Sequence, residues 1–126
     1  MSSKPFIERR SHPRVENNVP LKLSWPEADV VTETKNISCA GAYCRISKYI
    51  EPMTKVEVTL LLPVKKGTKV TTKKIACRGV VVRTEHIPDG DEFYTAVFFS
   101  DILPKDSRIL AQFVENALAA KAASLN

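Results

Sequence analysis

Residues 56–83 read VEVTLLLPVKKGTKVTTKKIACRGVVVR, and this stretch decides the fold. Val56, Val58, Leu60 and Leu62 alternate with their neighbours, the signature of a strand with one face buried. Lys65, Lys66, Gly67 and Thr68 then form a turn, and a second, long strand runs through Ile75 to Arg83. Gly79 in its middle calls for a bulge or a sharp bend, as a small barrel needs if its sheet is to curl. A hairpin of this length with a kinked second arm points to an antiparallel β-barrel.

The flanking sequence continues the pattern. Upstream, Val19, Leu21, Leu23 and Trp25 alternate with polar residues up to Pro26, a second strand spans about Val30 to Ile37, and a third spans about Gly41 to Ile46. Downstream, Pro88-Asp89-Gly90 marks a turn before a last strand at about Phe93 to Phe99. That strand is apolar on both faces, Val97 and Phe99 on one and Tyr94, Ala96 and Phe98 on the other, so something is expected to cover the second face. The tail is the candidate. Pro104 suits a first helical position, Asp106 suits the first turn, and Ile109, Leu110, Phe113, Val114, Ala117 and Leu118 form an apolar stripe, which predicts a helix over about 104–122. The expected fold is mainly β, a six-stranded antiparallel barrel with a C-terminal helix packed against it. Residues 1–18 are polar and basic without periodicity and read as an arm; residues 19–126 form the barrel and helix.

Composition narrows the function classes. A length of 126 residues suits one domain, and 44% hydrophobic with 26% charged residues is ordinary for a folded, soluble protein. No apolar run reaches the roughly 20 residues of a membrane span, and MSSKPFIERR lacks the apolar stretch of a signal peptide, so no membrane insertion and a cytoplasmic location are expected. Cys39, Cys44 and Cys77 have no CxxC spacing, and Cys39 and Cys44 differ in strand parity; reduced packing residues are expected, with no metal. His12 and His86 stand alone, and no nucleophile elbow, Gly-rich phosphate loop or HExxH motif occurs, so no catalytic residue and no enzyme are expected. A net charge of +5 admits an anionic ligand, and Arg9, Arg10 and Arg14 gather within six positions of the arm.

Two short motifs give that charge a purpose. Arg10 and Arg14 form RxxxR ahead of the first strand; Asn36, Ser38 and Gly41 form NxSxxG between the second and third. Each alone is weak: basic clusters are usually solvated surface, and an Asn-x-Ser-x-x-Gly run reads equally as a strand end whose polar side chains bond a turn and whose glycine supplies a positive φ. In this order and at these places they resemble the signatures of the PilZ family, and the resemblance extends over arm, strand order and closing helix. One departure is Ala96, where the family usually has glycine before the apolar and aromatic pair, here Val97 and Phe98.

The resemblance implies a bacterial receptor for cyclic di-GMP with Arg9, Arg10, Arg14, Asn36, Ser38 and Gly41 as ligand-binding residues, no other cofactor, and a downstream partner protein as effector. An arginine at position 9 is associated in the family with capture of two stacked ligands, so two per chain are expected. The chemistry agrees. A guanidinium fork bonds guanine O6 and N7, pairs with phosphate oxygens, or stacks on a base. Asn36 and Ser38, two apart, point to the same face on a strand and are expected to act as one polar patch, and Gly41 lets the chain turn tightly beside the ligand. The arm has too few apolar residues to fix itself to the barrel, so ordering by the ligand is expected. A PilZ-like domain that holds a partner protein with weak or no nucleotide binding is the alternative. Binding of RNA or single-stranded DNA is disfavoured, because most of the aromatic residues fall at apolar-periodic positions rather than on an exposed stacking face.

Overall fold

The computed structural model describes residues 13–124. Six strands, β1 (Pro20–Trp25), β2 (Ala28–Ile37), β3 (Gly41–Ile46), β4 (Lys55–Lys66), β5 (Lys69–His86) and β6 (Phe93–Asp101), precede one helix, α1 (Pro104–Ser124). All strand pairs are antiparallel, in the order β1-β2-β3-β6-β5-β4, and β4 pairs back onto β1 to close the ring. Closure leaves no exposed sheet edge around the ring. The expected mainly β architecture is the one observed.

The inward set follows the period-2 pattern. Leu21 and Leu23 of β1, Val56, Val58, Leu60 and Leu62 of β4, Ile75 and Val81 of β5, and Val97 and Phe99 of β6 are buried in one cluster. Gly79 sits at the expected irregularity, where the β5–β6 register shifts. A Cβ there would approach the Phe98 carbonyl oxygen and Val97 Cγ1 to 2.9 Å, so the curl of β5 over β6 requires glycine.

The strands are unequal in length, and that inequality shapes the surface. β4 pairs with β1 only through Leu60, and β5 pairs with β6 only from Arg78 onward. Beyond those points β4 and β5 pair with each other alone, to the turn at Gly67, whose φ is 64°. The hairpin therefore projects past the ring as a two-stranded ribbon.

Helix α1 begins where Pro104 and a Ser107 N–H bond to the Leu103 carbonyl place it, and it buries Leu110, Phe113 and Val114 in the interior cluster. It packs against β4 and lies beside the entry of the chain at residues 14–17, not over the outside of β6. The expectation that the helix covers the second face of β6 is thus corrected: Phe98 stays 48% exposed. An amphipathic helix needs a mate for its apolar stripe, and the end of the barrel, with the side chains of Val19, Ile37 and Leu62 in the same cluster, offers more apolar surface than one strand's outer face.

The chain joins the barrel before β1. Val15 and Ile37 exchange backbone hydrogen bonds of 2.9 Å in each direction, and the Val15 side chain is buried. Thr34 of β2 ties down the three residues ahead of β1: its hydroxyl accepts from the Val19 N–H and donates to the Asn17 carbonyl, and Asn18 Nδ2 donates to the Thr34 carbonyl. Residues 15–18 of the expected arm are thereby fastened to β2.

Candidate ligand-binding site

Arg14 and Asn36, 22 positions apart in sequence, meet at the surface. Arg14 Nη1 donates to Asn36 Oδ1 at 2.8 Å, with both side chains accessible to solvent. Two local devices produce this contact. The Val15–Ile37 bridge holds Arg14 beside the end of β2, and the β2–β3 register shift between Thr34 and Asn36 is a bulge that aims Asn36 outward. The two motifs read in the sequence thus join at one point.

Ser38 takes a different place. β2 ends at Ile37, and Ser38 lies in the connection to β3, only 2% exposed. Its hydroxyl accepts from the N–H groups of Ala40 (3.1 Å) and Gly41 (3.3 Å), and its own N–H donates to the Gly41 carbonyl. Asn36 and Ser38 do not form one outward patch; the serine builds the turn that the asparagine borders. Gly41 has no positive φ, and its glycine identity has another cause: a Cβ would lie 2.2 Å from the Val97 carbonyl oxygen. The close approach of β3 to β6 excludes any side chain there. Arg9 and Arg10, and with them His12, lie outside the described residues.

Around the Arg14–Asn36 contact is an open cavity of about 720 Å³. Arg14, Glu16, Asn17 and Asn36 line one side; Ala117, Leu118, Ala120 and Lys121 of α1 line the other. The sequence marks Ala117 and Leu118 only as part of the helix's apolar stripe and gives no signal at Ala120 and Lys121, because an alanine and an exposed lysine at the end of a helix have no pattern that points to a ligand. Across the ladder from Asn36 stands Tyr43, stacked on Tyr94 with ring centroids 5.4 Å apart and planes at 14°, and Arg45 lies over Tyr94 at 5.9 Å. Burial, then the Glu85 carboxylate, raise the Tyr43 phenol above its ordinary value, so the ring is neutral at physiological pH.

All three cysteines are free. Burial pushes the Cys44 thiol up to about 12, and burial followed by Asp106, Asp101 and Glu57 pushes Cys77 up to about 11, so neither is a nucleophile at neutral pH. Cys39 is raised too, by burial and then Glu115. Among the described residues no group of His, Cys, Asp and Glu is placed to hold a metal ion, and no helix is long and apolar enough to cross a membrane.

A family model, the PilZ domain, matches residues 8–116, a span that contains both motifs. The chain belongs to the PilZ domain family. Among solved structures this PilZ domain is similar to the Bacillus subtilis inhibitor of motility MotI/DgrA, with a TM-score of 0.78 and 20% sequence identity over 90% of this chain and 52% of that one. The present chain spans about half of that chain, and the likeness is one of fold. No curated protein matches it in sequence.

Proposed function

We propose that this PilZ domain is a bacterial receptor for cyclic di-GMP that relays the messenger to a partner protein. The Arg14–Asn36 contact carries the reading, because it puts a guanidinium fork and an amide at one mouth of a cavity large enough for a nucleotide. Arg14 supplies charge-assisted bonds to phosphate or to a guanine edge, and Asn36 both donates to and accepts from a base. Tyr43 adds a flat, neutral ring next to Asn36 on which a base could stack. Arg10 completes RxxxR, and Arg9 is the residue that would pair with a second stacked ligand, giving two per chain. The structurally similar chain from Bacillus subtilis is an inhibitor of motility, which supports a regulatory output.

A second reading, a PilZ domain that holds a partner with weak or no nucleotide binding, is favoured by one observation: the Ser38 hydroxyl is already engaged by the turn. Calorimetric titration with cyclic di-GMP separates the two. The receptor reading expects binding at micromolar concentration or below, and Arg10→Ala, Arg14→Ala and Asn36→Ala each weaken it by roughly ten- to a hundredfold, the cost of losing one charged or buried polar contact. Arg9→Leu lowers the ratio from two ligands towards one. A wild-type protein that gives no heat at high concentration supports the second reading.

A further inference from the structure

The projecting ribbon is strongly basic. Lys65, Lys66, Lys69, Lys73 and Lys74 lie within ten positions, and no acidic residue occurs between Glu57 and Glu85. Among the described residues none of the five ammonium groups makes an ion pair or hydrogen bond. Lysines do protect ribbon edges from pairing with other chains. That role does not explain where they stand. Lys65, Lys66 and Lys73 border a groove of about 540 Å³ between the ribbon and α1, whose apolar lining comes from Val64, Val70, Ile109 and Ala117. Val70, part of that lining, is 59% exposed.

We infer that this groove docks an acidic amphipathic segment of the partner protein, its apolar side chains filling the groove and its carboxylates meeting Lys65, Lys66 and Lys73. Along α1 the groove runs from Ile109 to Ala120, a rise of about 16 Å, which matches about three turns of a helix. The alternatives fit less well. A phosphodiester backbone would satisfy the lysines and leave the aliphatic lining wet, and the groove's single aromatic ring, Phe113, is buried and offers no stacking face. A bilayer surface is flat, while the apolar lining here is divided between the ribbon and α1 across a groove. The inference gives the partner of the proposed receptor its chemistry and rests on that reading only for its purpose, since the described nucleotide candidates, Arg14, Asn36, Ser38 and Gly41, do not line the groove.

The test uses the full chain and a fluorescein-labelled peptide of leucine and glutamate, about five helical turns long with leucines at i, i+3, i+4 and i+7, against an isomer of the same composition with the leucines dispersed. Fluorescence anisotropy is expected to show the amphipathic peptide binding at least about tenfold more tightly than the isomer. The pair Lys66→Glu/Lys73→Glu and the single change Val70→Asp, all on exposed ribbon positions, each weaken it at least about tenfold, and backbone NMR shifts fall on Val64, Val70 and Ile109. Equal affinity for the two peptides overturns the inference. So does affinity untouched by the substitutions, or a thymidine oligonucleotide or phosphatidylglycerol vesicle that binds through these lysines in preference to the peptide. Calorimetry with cyclic di-GMP on the same samples keeps the readings apart: nucleotide binding without peptide binding removes the docking groove alone, and peptide binding without nucleotide binding removes the receptor reading alone.

Discussion

Two threonines show how much a single buried hydroxyl depends on its neighbours. Thr34 and Thr95 are both fully buried in β-strands. The Thr34 hydroxyl holds the Val19 N–H and the Asn17 carbonyl, whereas Thr95 Oγ1 has no partner among the described residues. Replacement by the isosteric valine should therefore act with opposite sign. Thr34→Val strands a buried N–H and is expected to cost about 1–3 kcal/mol; Thr95→Val removes an unsatisfied group and is expected to be neutral or to stabilise by about 1 kcal/mol. Urea unfolding of both variants decides it, and a Thr95→Val protein less stable than wild type would refute the account of that position. A pH dependence arises from Cys44 as well. Its thiol, raised from 9.0 to about 12 by burial, keeps its proton in the folded chain and loses it in the unfolded chain. Stability is thus unaffected below pH 9.0 and falls above it, by about 1.4 kcal/mol per pH unit from this group, until the folded value is reached. Cys44→Ala should flatten the fall relative to wild type between pH 9 and 11, as followed by urea midpoints. Residue types announced Arg14 and Asn36 in the sequence, but not these differences, because period-2 alternation reports which way a side chain points and not what it meets there.

At the scale of elements, strands and helix were legible because each carries a period. The joints between periods were not. Val15 joins β2 through a single bridge to Ile37, and one residue has no periodicity to read. The stripe Leu110–Phe113–Val114 told that a helix buries one face, but only the geometry of the closed ring decides that its mate is the barrel end and not the outside of β6. Two-residue spacing puts Ser38 on the face of Asn36 wherever a strand runs through both, but β2 stops at Ile37 and the serine caps the turn. These anchors sharpen the expected switch. Amide hydrogen exchange with and without cyclic di-GMP should show protection gained over residues 1–14, at Asn36 and over residues 38–41 on binding, while Val15 and Ile37, bonded to each other in the free protein, are protected in both states. Unchanged exchange over residues 1–14 at saturating nucleotide would place the switch elsewhere.

For the whole molecule, the decisive feature is that the two cavities share a wall. Asn17, Ala117 and Ala120 border both the Arg14–Asn36 cavity and the lysine-lined groove. The closed ring is a poor candidate for movement, since every strand is paired on both sides over part of its length. Helix α1 is a better one. Its buried anchors end at Val114, and its remaining turns, which line both cavities, bury no side chain fully among the described residues. A nucleotide seated against Leu118 and Lys121 would therefore bias the position of a segment that also borders the peptide groove, and by linkage the effect must be reciprocal. The expectation is that saturating cyclic di-GMP changes the affinity of the acidic amphipathic peptide by about fivefold or more, and that saturating peptide changes nucleotide affinity by the same factor. Anisotropy titrations with and without nucleotide measure the first, calorimetry with and without peptide the second. Ala117→Leu, which thickens the shared wall and leaves Arg14, Asn36 and the ribbon lysines unsubstituted, should alter the factor more than it alters either affinity alone. If both ligands bind and neither changes the other's affinity, α1 does not connect the sites, and the signal must leave through the arm.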